Sequence, residues 1–188
     1  DYLLVAVGRG PATDGLGFEE AGVTIDRGFV TVDERLATSV PHVYAVGDIV
    51  PGLQLAHRSF QQGIFVAEQI AGLSPVAVPE ASIPRVTYSS PEVASVGLTE
   101  AQAREVHGDR VVAYDYNLAG NGKSEILGTG GIVKVVRVKD GPVIGVHLAG
   151  DRVGELLGGE GVLVDGPADR VGEPVPQRRG RVQDQVGV

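Results

Sequence analysis

Cysteine, methionine and tryptophan are all absent from this 188-residue chain, and aromatic residues make up only 5% of it, with none beyond Tyr116. Without a thiol the chain can hold no disulfide framework, no thiolate metal site and no cysteine nucleophile, so any dithiol chemistry must come from elsewhere. No apolar run approaches the ~20 residues that a membrane span requires, and no secretory leader opens the sequence, so a cytoplasmic protein with no membrane partner is expected. Basic residues are also short: 16 Lys and Arg stand against 24 Asp and Glu, a formal net charge of −8. That balance argues against a nucleic-acid or anionic-membrane partner, because no basic surface offsets the repulsion. The one basic cluster, Arg178, Arg179 and Arg181, reads as a solvated tail.

What is present supports a real core, since hydrophobic residues make up 43% of the chain. The sequence starts at Asp1 and runs straight into the apolar stretch Tyr2–Val7, which reads as a buried strand stopped by Gly8-Arg9-Gly10-Pro11. A chain that opens inside a core strand is expected to be an internal fragment. Val23-Thr24-Ile25 and Phe29-Val30-Thr31-Val32 flank Asp26-Arg27-Gly28 as a hairpin, its glycine able to take a positive φ.

The run Thr38 to Val46 that stops at Gly47-Asp48 is the most informative stretch. It reads as a parallel strand, His42 to Val46, with a carboxylate at its C-terminal end, the place where open α/β sheets bind ligands. The glycine would let the backbone approach a bound molecule, and Asp48 can accept hydrogen bonds from sugar-like hydroxyls. From Leu55 to Ala71 the apolar positions 60, 64, 65, 66, 67 and 70 suit a largely buried helix, with Gly72 as its stop. The start of that helix presents unpaired N–H groups and a partial positive charge, which favours a nearby anion. Pro75 and Pro79 mark a linker, with a domain boundary near residue 80.

Beyond the linker the pattern changes to strands at 85–89, 93–97, 111–118, 132–139 and 143–148, with a hairpin at Asp140-Gly141. One helix interrupts them, opened by Thr99-Glu100-Ala101-Gln102 at capping-box spacing. This predicts a mixed α+β unit with an antiparallel sheet. Asn121 to Ser124 reads as a loop, His42 and His107 as surface or capping residues, and His147, inside a strand, as structural. From Asp151 to Leu157 the start of another helix is expected, after which 158–188 turns to Gly, Val, Pro and Arg with no period. A reading-frame change in a GC-rich coding sequence would produce such a tail.

Taken in order, Val7-Gly8-Arg9, Thr38 through Asp48, Leu55-Ala56-His57, Pro84 through Glu92 and Gly145-Val146-His147 resemble the second half of the pyridine nucleotide-disulfide oxidoreductase family, over about Asp1 to Leu157. Within that family the motifs resemble those of the dihydrolipoyl dehydrogenases. The resemblance implies an α/β fold of two dinucleotide-binding domains, of which this chain holds the C-terminal part, plus an α+β antiparallel-sheet dimerisation domain. Residues 1–10 would end the NAD-binding domain, 11–80 would be the C-terminal part of the FAD-binding domain, 81–157 a truncated dimerisation domain and 158–188 an atypical tail.

The cofactors implied are FAD and NAD. Gly8 would lie against the nicotinamide cofactor, Gly47 and Asp48 at the ribityl chain of FAD, and Gln54, Leu55, Ala56 and His57 along the flavin pyrimidine edge, Ala56 through its backbone N–H and His57 with a side-chain donor. The implied activity is oxidation of protein-bound dihydrolipoamide by NAD⁺ through a redox disulfide and FAD. The implied partners are a second subunit in a homodimer and the lipoyl domains of 2-oxo acid dehydrogenase complexes.

The chain also departs from the family. It lacks the dithiol and the Gly-x-Gly-x-x-Gly loops, and no His follows His147 where the family has His-Pro-Thr and a Glu. The chain alone is therefore expected to be inactive. Mercuric, glutathione or soluble pyridine nucleotide reductases, and a non-catalytic dimerisation module, remain alternatives.

Overall fold

In a computed structural model, which describes residues 1–77 and 79–158, the hairpin forms around its turn. β1 (Ile25–Asp26) pairs antiparallel with β2 (Phe29–Val30) across Arg27 and Gly28. Both turn residues take positive φ, 49° and 85°, as a two-residue turn that follows strand twist requires. The strands are shorter than the sequence suggests, and Val30 is carried into a small core with Val23, Ala45 and Val50.

Two expected strands do not form. Tyr2 to Val7 carries no regular structure, is exposed and in no sheet, because no described strand lies beside it to pair with its N–H and C=O groups. His42 to Val46 makes only a single bridge, Ala37 to Tyr44, so the parallel strand read there is an irregular segment. All strand pairs among the described residues are antiparallel. A 3₁₀ turn, Gly47–Ile49, ends the irregular segment.

α1 (Ala56–Ile70) forms as expected and hands over to Gly72 at φ 76°. It is not largely buried. Only Arg58 and Val66 are fully covered, whereas Phe60, Ile64 and Ile70 are exposed. The apolar spacing was right for a helix, but the described residues supply a neighbour for one face only.

Residues 73–77 carry no regular structure, and a 3₁₀ turn, Glu80–Ser82, leads into the second sheet. That sheet is built from β3 (Arg85–Thr87), β4 (Glu92–Gly97), β5 (Val111–Asn117), β6 (Gly131–Val138) and β7 (Val143–Gly150), in the order β3-β4-β7-β6-β5. α2 (Glu100–His107) covers one face, where its Ala103 packs with Val111, Val136, Val138 and Ile144. At eight residues α2 is too short to persist alone. It is held by that packing and by its capping box, in which Thr99 Oγ accepts from Gln102 N and Gln102 Oε1 accepts from Thr99 N. The cap contributes about 1 kcal/mol.

On the opposite face Ala94 and Leu148 pack against Val153 and Leu157. Those last residues belong to a 3₁₀ segment, Val153–Gly158, rather than the α-helix expected there. Asn121 to Ser124 is also not a loop. It opens α3 (Gly122–Leu127), whose N-terminus is capped by Asn121 Oδ1 accepting from Lys123 N. The tail after residue 158, including the reading-frame question, lies outside the described residues.

Candidate functional site

The Gly47–Ile49 turn is joined by three hydrogen bonds to the first two turns of α1 and to Gln54 just before them. Gly47 N donates to Gln62 Oε1 at 2.7 Å, Arg58 Nη1 donates to Gly47 O at 3.3 Å, and Gln54 Nε2 donates to Asp48 O at 3.3 Å. Gly47 is buried with φ 81°, a conformation that costs a residue with a Cβ about 1–2 kcal/mol. A Cβ there would also meet Ser59 Oγ at 3.0 Å. The glycine therefore has a reason within the fold, besides any approach to a ligand.

Asp48 is exposed, and among the described residues its carboxylate has no hydrogen bond or ion pair. Close by, α1 begins at Leu55 without a side-chain cap and without an acidic residue in its first turn. Ser59 N is the first helix amide to find a carbonyl, that of Leu55, at 3.1 Å. The N–H groups of Ala56, His57 and Arg58 have no acceptor within the helix, so the positive end of the helix dipole is open. Asp48 is thus joined to Gln54 through its backbone carbonyl, in a turn held against the helix whose first amides, those of Ala56, His57 and Arg58, have no helical acceptor.

That donor set fits the ribityl chain and pyrimidine edge of a flavin. Ribityl hydroxyls donate to a carboxylate, and a pyrimidine edge rich in carbonyl and imine acceptors takes backbone N–H. Gly8 stands apart. It is exposed, a Cβ on it would meet nothing within 4 Å, and no hydrogen bond joins it to the other site residues. The described residues build no nicotinamide-cofactor site around it.

His57 differs from its sequence reading. Its Nε2 lies 2.8 Å from Pro84 O, and since a carbonyl only accepts, Nε2 carries the proton and donates. The ring is turned toward the entry to β3, which leaves the backbone N–H of residue 57 as its contribution at the helix start.

Three side chains that sequence reasoning did not single out hold the site together: Arg58, Gln62 and Glu80. Arg58 is 3% exposed and donates from Nε to Glu80 Oε1 at 2.5 Å and from Nη2 to Pro51 O at 2.6 Å, besides its bond to Gly47. The available signal was Arg58 directly after Leu55-Ala56-His57, a lone cation at the inward start of a helix that follows a Pro-Gly turn. A cleft of about 280 Å³ opens beside Arg58, walled by Asp33, Glu34 and Glu80 against Gln61 and Phe65 of α1. Asp48 and residues 54–57 do not line it, and its three carboxylates suit neither phosphate nor a flavin edge.

His147 is structural in the way its strand position suggests, with Nε2 donating to Leu98 O at 2.9 Å. The titrating groups with displaced pKa values lie away from the helix start. Glu100 is held below the ordinary carboxylate value, first by the hydrogen bond from Lys134 and then by Arg104, and Lys134 is raised in turn by Glu100. Among the described residues no cluster of His, Asp and Glu could hold a metal, and no helix is long and apolar enough to cross a membrane.

Comparison with known proteins gives two family models in sequence. Residues 1–63 match the pyridine nucleotide-disulphide oxidoreductase model, and residues 83–169 match the dimerisation domain of the same family. The chain is 43% identical over 169 residues to a dihydrolipoyl dehydrogenase of Bacillus subtilis, covering 88% of this chain and 36% of that protein. It is 44% identical over 168 residues to the dihydrolipoyl dehydrogenase of Geobacillus stearothermophilus, covering 88% and 35%. It spans about a third of the length of these curated relatives. Among solved structures, LpdA from Mycobacterium tuberculosis superposes with a TM-score of 0.71 at 26% identity, covering 79% of this chain and 33% of that one. The HOCl-induced flavoprotein disulfide reductase RclA from Escherichia coli superposes with a TM-score of 0.73 at 28% identity, covering 81% and 36%. The fold is that of the C-terminal part of a flavoprotein disulfide reductase.

Proposed function

The chain belongs to the pyridine nucleotide-disulphide oxidoreductase family, and on that premise we propose that it is the C-terminal part of an FAD-dependent dihydrolipoyl dehydrogenase, which oxidises protein-bound dihydrolipoamide with NAD⁺. Identities of 43% and 44% to proteins of that name favour this reading within the family. Residues 1–10 then end the NAD-binding domain, 11–80 complete the FAD-binding domain and 81–157 form the dimerisation domain. The observation that carries the reading is the Asp48 turn, with its open carboxylate, bonded against the uncapped start of α1.

In that role each residue has a task of its own. Asp48 accepts from ribityl hydroxyls. The N–H groups of Ala56 and His57 donate to the pyrimidine edge, and the open helix terminus favours negative charge there. Gln54 steadies the Asp48 carbonyl, and Leu55 supplies the first helical carbonyl. FAD, when bound, supplies the two-electron chemistry between a dithiol and NAD⁺. Gly8 serves NAD only with residues beyond those described here.

The dimerisation-domain match supports a homodimer, and the enzyme's name in its relatives supports lipoyl domains of 2-oxo acid dehydrogenase complexes as partners, in the cytoplasm. With no cysteine and no His after His147, this chain alone is inactive in our reading. Titrating the purified chain with FAD and with FMN, followed by flavin fluorescence, tests the site. The flavin contacts assigned to Asp48, Ala56 and His57 reach only ring and ribityl, so the two should bind weakly and alike, and Asp48→Asn should weaken both. No binding of either, or binding that depends on the ADP half, overturns the assignment.

A further inference from the structure

We propose that Arg58 is the positioning residue of this flavin site, acting on Asp48 through the backbone and never touching the cofactor itself; this rests on the flavin reading above. A buried guanidinium is costly unless its donors are matched, and ion pairing alone rarely justifies one, because an apolar side chain of similar size does as well. Arg58 is 97% covered, taking its 3% exposure, and it spends its donors on three different acceptors. These are Gly47 O, Pro51 O and Glu80 Oε1.

The first two acceptors bracket Asp48. The rigid planar fork of arginine fixes the directions of its acceptors relative to one another, which a lysine ammonium on a flexible stem cannot do. Gly47 is also held from its other side by Gln62, so both peptide groups of that glycine are pinned. Asp48 follows directly, and among the described residues no bond orients its carboxylate. Its aim is therefore set by the backbone that Arg58 holds.

The network packs tightly: a Cβ on Gly52 would collide with Arg58 Nη2. Glu80 completes it from outside the turn. Its side chain is half exposed while that of Arg58 is almost wholly covered, and it opens the 3₁₀ turn that leads into the second sheet, four residues before Pro84, whose carbonyl receives His57. Glu80 thus fixes the guanidinium plane and ties the start of α1 to the dimerisation unit.

The test uses the full chain with FMN as probe, in four forms: wild type, Arg58→Lys, Asp48→Asn and the double variant. Arg58→Lys should lower FMN affinity about tenfold, the loss expected when charge-assisted hydrogen bonds go unmade. Amide exchange at residues 47–50 should quicken, while amides of β6 and β7 stay as protected as in wild type. Because Arg58 acts through Asp48, adding Asp48→Asn to Arg58→Lys should cost much less than Asp48→Asn costs alone. Glu80→Gln, which keeps an acceptor for Nε, gives a second variant with an intermediate loss should Arg58→Lys unfold.

Additive losses in the double variant, or unchanged affinity with unchanged exchange at 47–50, overturn the positioning role while leaving the flavin site standing. Absence of FMN binding to wild type overturns the flavin reading, and the positioning role falls with it.

Discussion

Gly47→Ala separates two reasons for the same glycine. If Gly47 served only to let a cofactor approach, alanine would be harmless in the protein without flavin. The structure gives a different expectation. At φ 81° the new Cβ lies in left-handed backbone, costing about 1–2 kcal/mol. It also meets Ser59 Oγ at 3.0 Å, so Ser59 must give way and strain its bond to Leu55 O, now 3.2 Å. Alanine stiffens the unfolded chain, which returns about 0.4–1 kcal/mol. These two terms leave a loss of about 0–1.6 kcal/mol and the Ser59 crowding adds to it, so a net loss of roughly 1 kcal/mol is expected without flavin, a fall of about 2–4 °C in melting temperature for a chain of this size. Urea denaturation gives the total, and amide exchange at residues 47–50 localises it. Ser59→Ala in the same chain should recover the part due to crowding. A Gly47→Ala protein as stable as wild type in the absence of flavin would refute the reasoning.

Val136 is 0% exposed under α2, so Val136→Ala should cost about 1–3 kcal/mol from lost burial and the cavity left behind, read by urea denaturation. Thr99→Ala should cost about 1 kcal/mol and raise amide exchange in the first turn of α2 without touching β3. Glu100 is held below its ordinary pKa by Lys134 and Arg104, so its contribution is full above the ordinary carboxylate value and is lost as pH falls through the lowered one. Wild type should therefore melt higher than Glu100→Gln at neutral pH, with the two curves converging in acid; a constant gap would count against the ion pairs.

The second sheet was legible because its signals are local. Alternating β-branched runs, Asp140-Gly141 and the Thr99–Gln102 box each specify a short segment, and each element lies within a residue or two of its expected place. Tyr2 to Val7 and His42 to Val46 failed for the opposite reason. A parallel strand exists only beside its neighbours, and the described residues contain none for it. The same lack leaves Phe60 and Ile64 exposed on a helix whose sequence reads as buried.

Asp48 and the helix start could be chosen from sequence because Gly-Asp after an apolar run and a helix onset are both visible there. Arg58 and Glu80 are 22 residues apart, and Gly47 and Gln62 are 15 apart, so their bonds depend on how the turn folds back on α1. No periodicity carries that information. The His57 ring's bond was hidden for a similar reason: its acceptor, Pro84 O, is 27 residues away.

The most direct measurement is an amide chemical-shift map of the whole chain as FAD is added. The account predicts shifts that saturate together at Gly47, Asp48, Ala56 and His57, with Gly8 and the sheet of the second unit unmoved. Shifts centred on the Asp33, Glu34 and Phe65 cleft, or none at the start of α1, would contradict it.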